Sequence, residues 1–149
     1  MKRLVALAAV ALLTQGPVSA QVTAERNLVF GVVTSGTTTS VAKTSASAGR
    51  WRVHGILGID SQIKFTLPTS LAGSGAPMPI SFSATDGVYR VNNTNPSGGT
   101  TFNPNGTLTI PVSLISDIYL WLGGSVSPAL NQAPGNYTGS VVVTVTGLL

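Results

Sequence analysis

Pro134-Gly135-Asn136-Tyr137-Thr138-Gly139-Ser140-Val141-Val142-Val143-Thr144-Val145-Thr146 is a turn that runs into a strand. Val141, Val143 and Val145 fall on one face, and Ser140, Val142, Thr144 and Thr146 on the other, the period of two that a pleated strand imposes. A single strand cannot satisfy its own backbone N–H and C=O groups. Whatever pairs this one decides whether the domain closes on itself or borrows from a neighbour, and Val141, Val143 and Val145 mark it as the candidate acceptor-edge strand.

Upstream, the same period recurs. Ile118, Leu120 and Leu122 alternate with Tyr119 and Trp121 before Gly123-Gly124 ends the run. Leu108, Ile110, Val112 and Leu114 alternate with Thr107, Thr109, Pro111 and Ser113; Pro111 has no N–H to give, which predicts an edge or a bulge there. Ile63, Phe65 and Leu67 oppose Gln62, Lys64 and Thr66, and Pro68 stops that strand. Ile80 and Phe82 precede Asp86-Gly87, a hairpin-turn signal, and then Val88 to Val91. In Arg50-Trp51-Arg52-Val53 the arginines share one face, a solvated one over a core Trp51. Val22, Ala24, Leu28 and Phe30 form the first run, with Arg26 interrupting it.

No window after Ala20 sustains a helical apolar pattern, while strand signals return about every 10 residues, as in a sandwich. The long polar connections at 69–78 and 92–106 read as crossovers between sheets. The expectation is an all-β, Ig-like β-sandwich of about seven to nine antiparallel strands, with one strand of the set open to question. A jelly roll or a partly open barrel is the alternative.

The first twenty residues read as an export signal. Lys2 and Arg3 are followed by an apolar run from Leu4 to Leu13, a Gly16-Pro17 break and the small residues Val18-Ser19-Ala20. As a helix that run would rise roughly 15 Å, too little for a hydrocarbon core of about 30 Å. The expected organisation is a signal over 1–20 and one domain over 21–149, with no membrane span in the mature chain. Its destination would be the periplasm, the cell surface or the extracellular space.

Without Lys2 and Arg3, six basic residues stand against four acidic ones. They are scattered, so nucleic acid is not an expected partner. There is no cysteine, although an exported protein is free to form disulfides; burial and backbone pairing must hold the core alone. Charged residues make up only 8%, which leaves any open sheet edge without its usual guard.

Catalysis finds little support. His54 is the only histidine, no G-x-S-x-G elbow occurs, and Glu25, Asp60, Asp86 and Asp117 are far apart in sequence. Metal binding would want paired histidines, cysteines or clustered carboxylates. The expectation is a protein that is not an enzyme and uses no cofactor or metal. Three Asn-x-Thr triplets, at Asn92, Asn105 and Asn136, read as turn residues. Tyr119 and Trp121 share a strand face and form a candidate aromatic binding face, for which a glycan would be the ligand.

The order of motifs resembles a known family. Asn27-Leu28-Val29-Phe30-Gly31 opens the domain, Gly55-x-x-Gly58 precedes Ile63-Lys64-Phe65-Thr66-Leu67-Pro68, and Tyr119-x-Trp121-Leu122-Gly123-Gly124 and Pro134-Gly135-x-Tyr137-x-Gly139 lead to a valine-rich strand. This resembles the bacterial domain-of-unknown-function family 4402 and is similar, more distantly, to spore-coat-U-type and archaic chaperone–usher pilin subunits. The resemblance implies a fimbrial subunit: an Ig-like sandwich lacking its last strand, filled first by a periplasmic chaperone and then by a strand of the next subunit. It implies a donor face of Val22, Ala24, Leu28 and Phe30. Only Gln21 to Arg26 precede the opening motif, which leaves three forms open: a polymerising subunit, a tip subunit that accepts without giving, and a complete monomeric binding domain.

Overall fold

The structure is a computed structural model that describes residues 3–14, 21–54, 60–111 and 117–147. The expected cleavage motif at 18–20, the Gly55 to Gly58 break, and Val112 and Leu114 lie outside the described residues. Among those described there are fourteen strands and no helix: β1 (Arg3–Thr14), β2 (Gln21–Arg26), β3 (Val29–Thr34), β4 (Thr39–Val41), β5 (Gly49–His54), β6 (Ser61–Thr66), β7 (Ser70–Leu71), β8 (Met78–Ser81), β9 (Gly87–Val91), β10 (Thr100–Phe102), β11 (Thr107–Ile110), β12 (Ile118–Leu122), β13 (Gly124–Val126) and β14 (Gly135–Gly147).

They form three open sheets, ordered β11-β6-β14-β1-β3, β10-β9-β12-β5-β2 and β4-β13-β8-β7. The first two pack face to face. Ile63, Phe65, Ile110, Val141, Val143 and Val145 from one meet Val22, Trp51, Val53, Phe102, Ile118, Leu120 and Leu122 from the other. Each fully buried aliphatic side chain here contributes about 1.5–3 kcal/mol, and together they replace the missing disulfides. Trp51 stands edge-on to Phe65 with ring centroids 5.5 Å apart. Gly49 makes room for it, since a Cβ there would lie 2.7 Å from the indole. A second core gathers Leu28, Phe30, Val33, Val41, Leu71, Met78, Ile80, Val126 and Tyr137 beneath the small third sheet.

The all-β sandwich is as expected, and so is the edge at Pro111, because β11 is the outermost strand of its sheet. Other expectations need correction. The described residues form fourteen strands and not seven to nine: Thr69 to Met78, expected as a loop or a very short helical turn, contains β7 of the third sheet, and the 92–106 connection contains β10 of the second. Asp86 closes a turn by accepting from the Ser83 N–H at 2.7 Å, but the strands it joins, β8 and β9, lie in different sheets. Hence it is a crossover and not a hairpin.

The run from Val22 to Phe30 is not one strand. It splits into β2, paired with β5, and β3, in the opposite sheet. Arg26 marks the crossing, its Nε donating to the Ala48 carbonyl at 2.8 Å. Within β3 a second phase change follows. The register with β1 shifts beside Phe30, and Gly31 takes φ +69°, the left-handed conformation of a glycine bulge. As a result Val33 turns inward, 1% exposed, and Val32 is left 59% exposed.

Candidate functional site

The site that stands out is a strand-shaped slot between β14 and β3. β14 runs for thirteen residues. Along one edge it pairs antiparallel with β6, Val142 to Gly147 against Thr66 to Ser61. Nearer its start, Ala72 and Thr138 exchange backbone bonds of 2.8 Å in both directions. The opposite edge of β14 faces β1 alone, in parallel register from Leu4↔Gly135 to Thr14↔Val145. On its far side β1 pairs antiparallel with β3, Arg3↔Thr34 to Leu7↔Val29. Among the described residues β1 is the only ladder partner of β3.

The apolar floor comes from both flanks. Val141, Val143 and Val145 of β14 point into the main core, and Phe30 and Val33 of β3 into the second. Tyr137 is fully buried, its hydroxyl donating to the Ala133 carbonyl at 2.8 Å. Beside it, a Cβ on Gly139 would lie 2.8 Å from Leu71 Cδ2, so the domain already fills the floor at that end. The slot offers two rows of backbone donors and acceptors above an apolar floor, the requirements for capturing an extended strand.

The candidate acceptor valines therefore lie on the strand that lines the slot, and it is already filled by residues 3–14 of the same chain. The four candidate donor residues are not brought together. Val22 is buried in the main core, Ala24 is exposed on β2, and Leu28 and Phe30 belong to the second core. β2 is paired with β5 and β3 with β1, and Leu28 lies in the link between β2 and β3, so the four residues do not form one free face in this structure. The reason is Arg26: it cannot continue the apolar face, so the chain changes sheets there.

Tyr119 and Trp121 do share the outer face of their sheet, with centroids 6.2 Å apart. They are only 8% and 1% exposed, which overturns the idea of an open aromatic platform. β12 is a central strand, and its register sets Tyr119 between Arg52 and Arg90 and Trp121 between Arg50 and Val88. Long arginine stems cover aromatic faces while keeping their charges in water. Arg90 donates to the Ser97 carbonyl at 2.6 Å, and Arg50 pairs with Glu25 at 2.7 Å.

Sequence reasoning missed one polar group on this face. His54 Nδ1 meets Asp117 Oδ1 across the β5–β12 pair, with Arg52 Nε 3.9 Å from the same oxygen. Asn92, at φ +53°, donates its N–H to the Asp117 carbonyl at 2.7 Å. Its side-chain oxygen accepts from the Asp117 N–H at 2.9 Å. Positions 54, 92 and 117 are neighbours only through the pairing of β5, β12 and β9, and no local motif signals that. Among the described residues no three His, Asp or Glu side chains converge as metal ligands, and no helix is long and apolar enough to cross a membrane.

A scan against protein-family models returns no match, and a search of curated proteins finds none significantly similar to this chain.

Proposed function

We propose that this chain is an exported, non-enzymatic structural subunit of a bacterial surface assembly, pilin-like in kind, whose sandwich is completed by a strand from outside its mature sequence. One observation carries this reading. The strand that joins β14 to β3 lies within the segment that reads as an export signal. Once that segment is cleaved during export, one edge of β14 and all the ladder bonds of β3 lose their partner.

Buried backbone groups left unpaired cost about 1–3 kcal/mol each, and the apolar floor would be exposed along with them. A donated strand offsets both. A periplasmic chaperone would hold the subunit until assembly, and related subunits would be its neighbours at the cell surface. The likeness of the motif order to family 4402 and to pilin subunits supports the same reading.

The test uses the full chain with a specific protease site placed between Ala20 and Gln21. It is folded, cut, and freed of the leading peptide in mild urea. Size-exclusion chromatography and negative-stain microscopy then compare cut and uncut protein. The uncut chain is expected to stay monomeric, and the freed chain to associate or precipitate unless a strand peptide is supplied. A freed chain that remains a monomer and unfolds cooperatively overturns the reading.

A further inference from the structure

We propose that the slot takes its strand from a different protein and not from residues 21–34 of a second copy, and that it selects this strand by side-chain size. The inference rests on the strand-completion reading above and names the kind of partner that reading requires.

Self-donation fails first on what the donor would lose. β2 is one of the five strands of its sheet. Val22 fills the main core, Glu25 pairs with Arg50 at 2.7 Å, and Arg26 holds the Ala48 carbonyl at 2.8 Å. Pulling 21–34 into a neighbour's slot strips a folded domain of its own edge strand to complete another. The exchange leaves as much unpaired backbone as it satisfies.

It fails again on what the slot would receive. Read at every second position, 21–29 places either Arg26 or Glu25 over the apolar floor. An unpartnered charge there would have to be desolvated, which is strongly unfavourable.

The floor also states what does fit. Tyr137, Gly139, Val141 and Val143 stand in parallel register with positions 6, 8, 10 and 12 of β1. At Tyr137 and Gly139 the space is taken by the buried phenol ring and by Leu71. At Val141 and Val143 the domain contributes smaller side chains. A matching strand therefore carries small residues at the first two of these positions and branched aliphatic residues at the next two. The sequence of β1 has Ala6, Ala8, Val10 and Leu12 at these register positions, and a heterologous donor would show the same pattern.

The cut full chain described above, still holding its leading segment, serves for the test. Fluorescent peptides of residues 3–14, of residues 21–34, and of residues 3–14 with A6L and A8L are exchanged into it. Anisotropy reads affinity and native mass spectrometry reads stoichiometry. The 3–14 peptide is expected to exchange one to one, and 21–34 to fail to compete even in large excess. The A6L/A8L peptide should bind at least about tenfold more weakly, the penalty of overpacking a filled site.

Displacement by 21–34, or open-ended filaments of the freed chain alone, would overturn the choice of partner while leaving strand completion intact. Equal binding of the A6L/A8L peptide would overturn the size rule. If no peptide binds and the freed chain stays a stable monomer, strand completion itself falls and the inference with it.

Discussion

Replacing Val5 and Leu7 by proline in the full chain should unlock one strand and leave the rest of the sandwich standing. Both positions sit in the two ladders at once: Val5 is level with Val32 and Asn136, Leu7 with Val29 and Thr138. Proline removes the N–H and is tolerated in a sheet only at edges and bulges. In the parent chain, β3 amides that point to β1 exchange by an opening that costs a large part of the global stability. For a domain worth 5 kcal/mol or more, that means protection of at least about 10³-fold to 10⁴-fold. In the V5P/L7P variant those amides have no remaining ladder, and their exchange should fall to within about tenfold of an unfolded chain.

Two internal controls are built in. The Val29 N–H donates to the Ser47 carbonyl at 2.9 Å, a bond independent of β1, so Val29 should stay slow. β12, held between β5 and β9, should not change. Hydrogen exchange read by mass spectrometry at low micromolar concentration, with fragmentation to single residues, gives all three answers at once. If β3 keeps the protection of β12 in the variant, its stability does not depend on the slot strand and the reasoning is wrong.

Trp51 gives a second test. Its indole nitrogen is buried without a hydrogen-bond partner among the described residues. Trp51→Ala should cost about 3–5 kcal/mol. Trp51→Phe gives up about 1.5–2 kcal/mol of burial but relieves a stranded donor worth about 1–3 kcal/mol. Urea unfolding followed through Trp121 should therefore place Trp51→Phe within about 1 kcal/mol of the parent, and a cost equal to that of alanine would show the N–H to be satisfied. Two glycines should fail for different reasons. Gly31→Ala meets no atom within 4 Å but is held at φ +69°, costing about 1–2 kcal/mol. Gly49→Ala drives a methyl against the Trp51 ring, costing about 1–3 kcal/mol. Combined with Trp51→Phe, the Gly49 penalty should shrink and the Gly31 penalty should not.

Much of the fold was legible because burial writes itself as alternation. Ile63/Phe65, Ile118/Leu120/Leu122 and Val141/Val143/Val145 all face inward as their spacing predicts. Alternation fails where the backbone changes phase. The bulge at Gly31 and the sheet change at Arg26 are each a single residue, and neither alters the composition around it. Short strands such as β7 and β13 are held by the second core more than by their own sequence, so they left little pattern. Alternation puts Tyr119 and Trp121 on the outer face, but the arginines beside them come from β5 and β9, whose register no local pattern gives. For the slot, the valine strand was visible from the start. Its filling by a parallel segment was not, because an apolar run of alanines, valines and leucines carries the same signature for export as for a buried strand.

The eleven-position parallel register between β1 and β14 also has a mechanical meaning. A tether that leaves the molecule along the strand filling this groove carries tension parallel to the strand axis, while the hydrogen bonds lie across it. Force then loads the whole row together in shear, and no bond can be peeled before its neighbours. Resistance to pulling is set by the rate of that concerted rupture and not by equilibrium affinity. A short antiparallel hairpin tugged from its open end would yield one rung at a time, so a long row of this kind holds under loads along the strand that would unzip the hairpin.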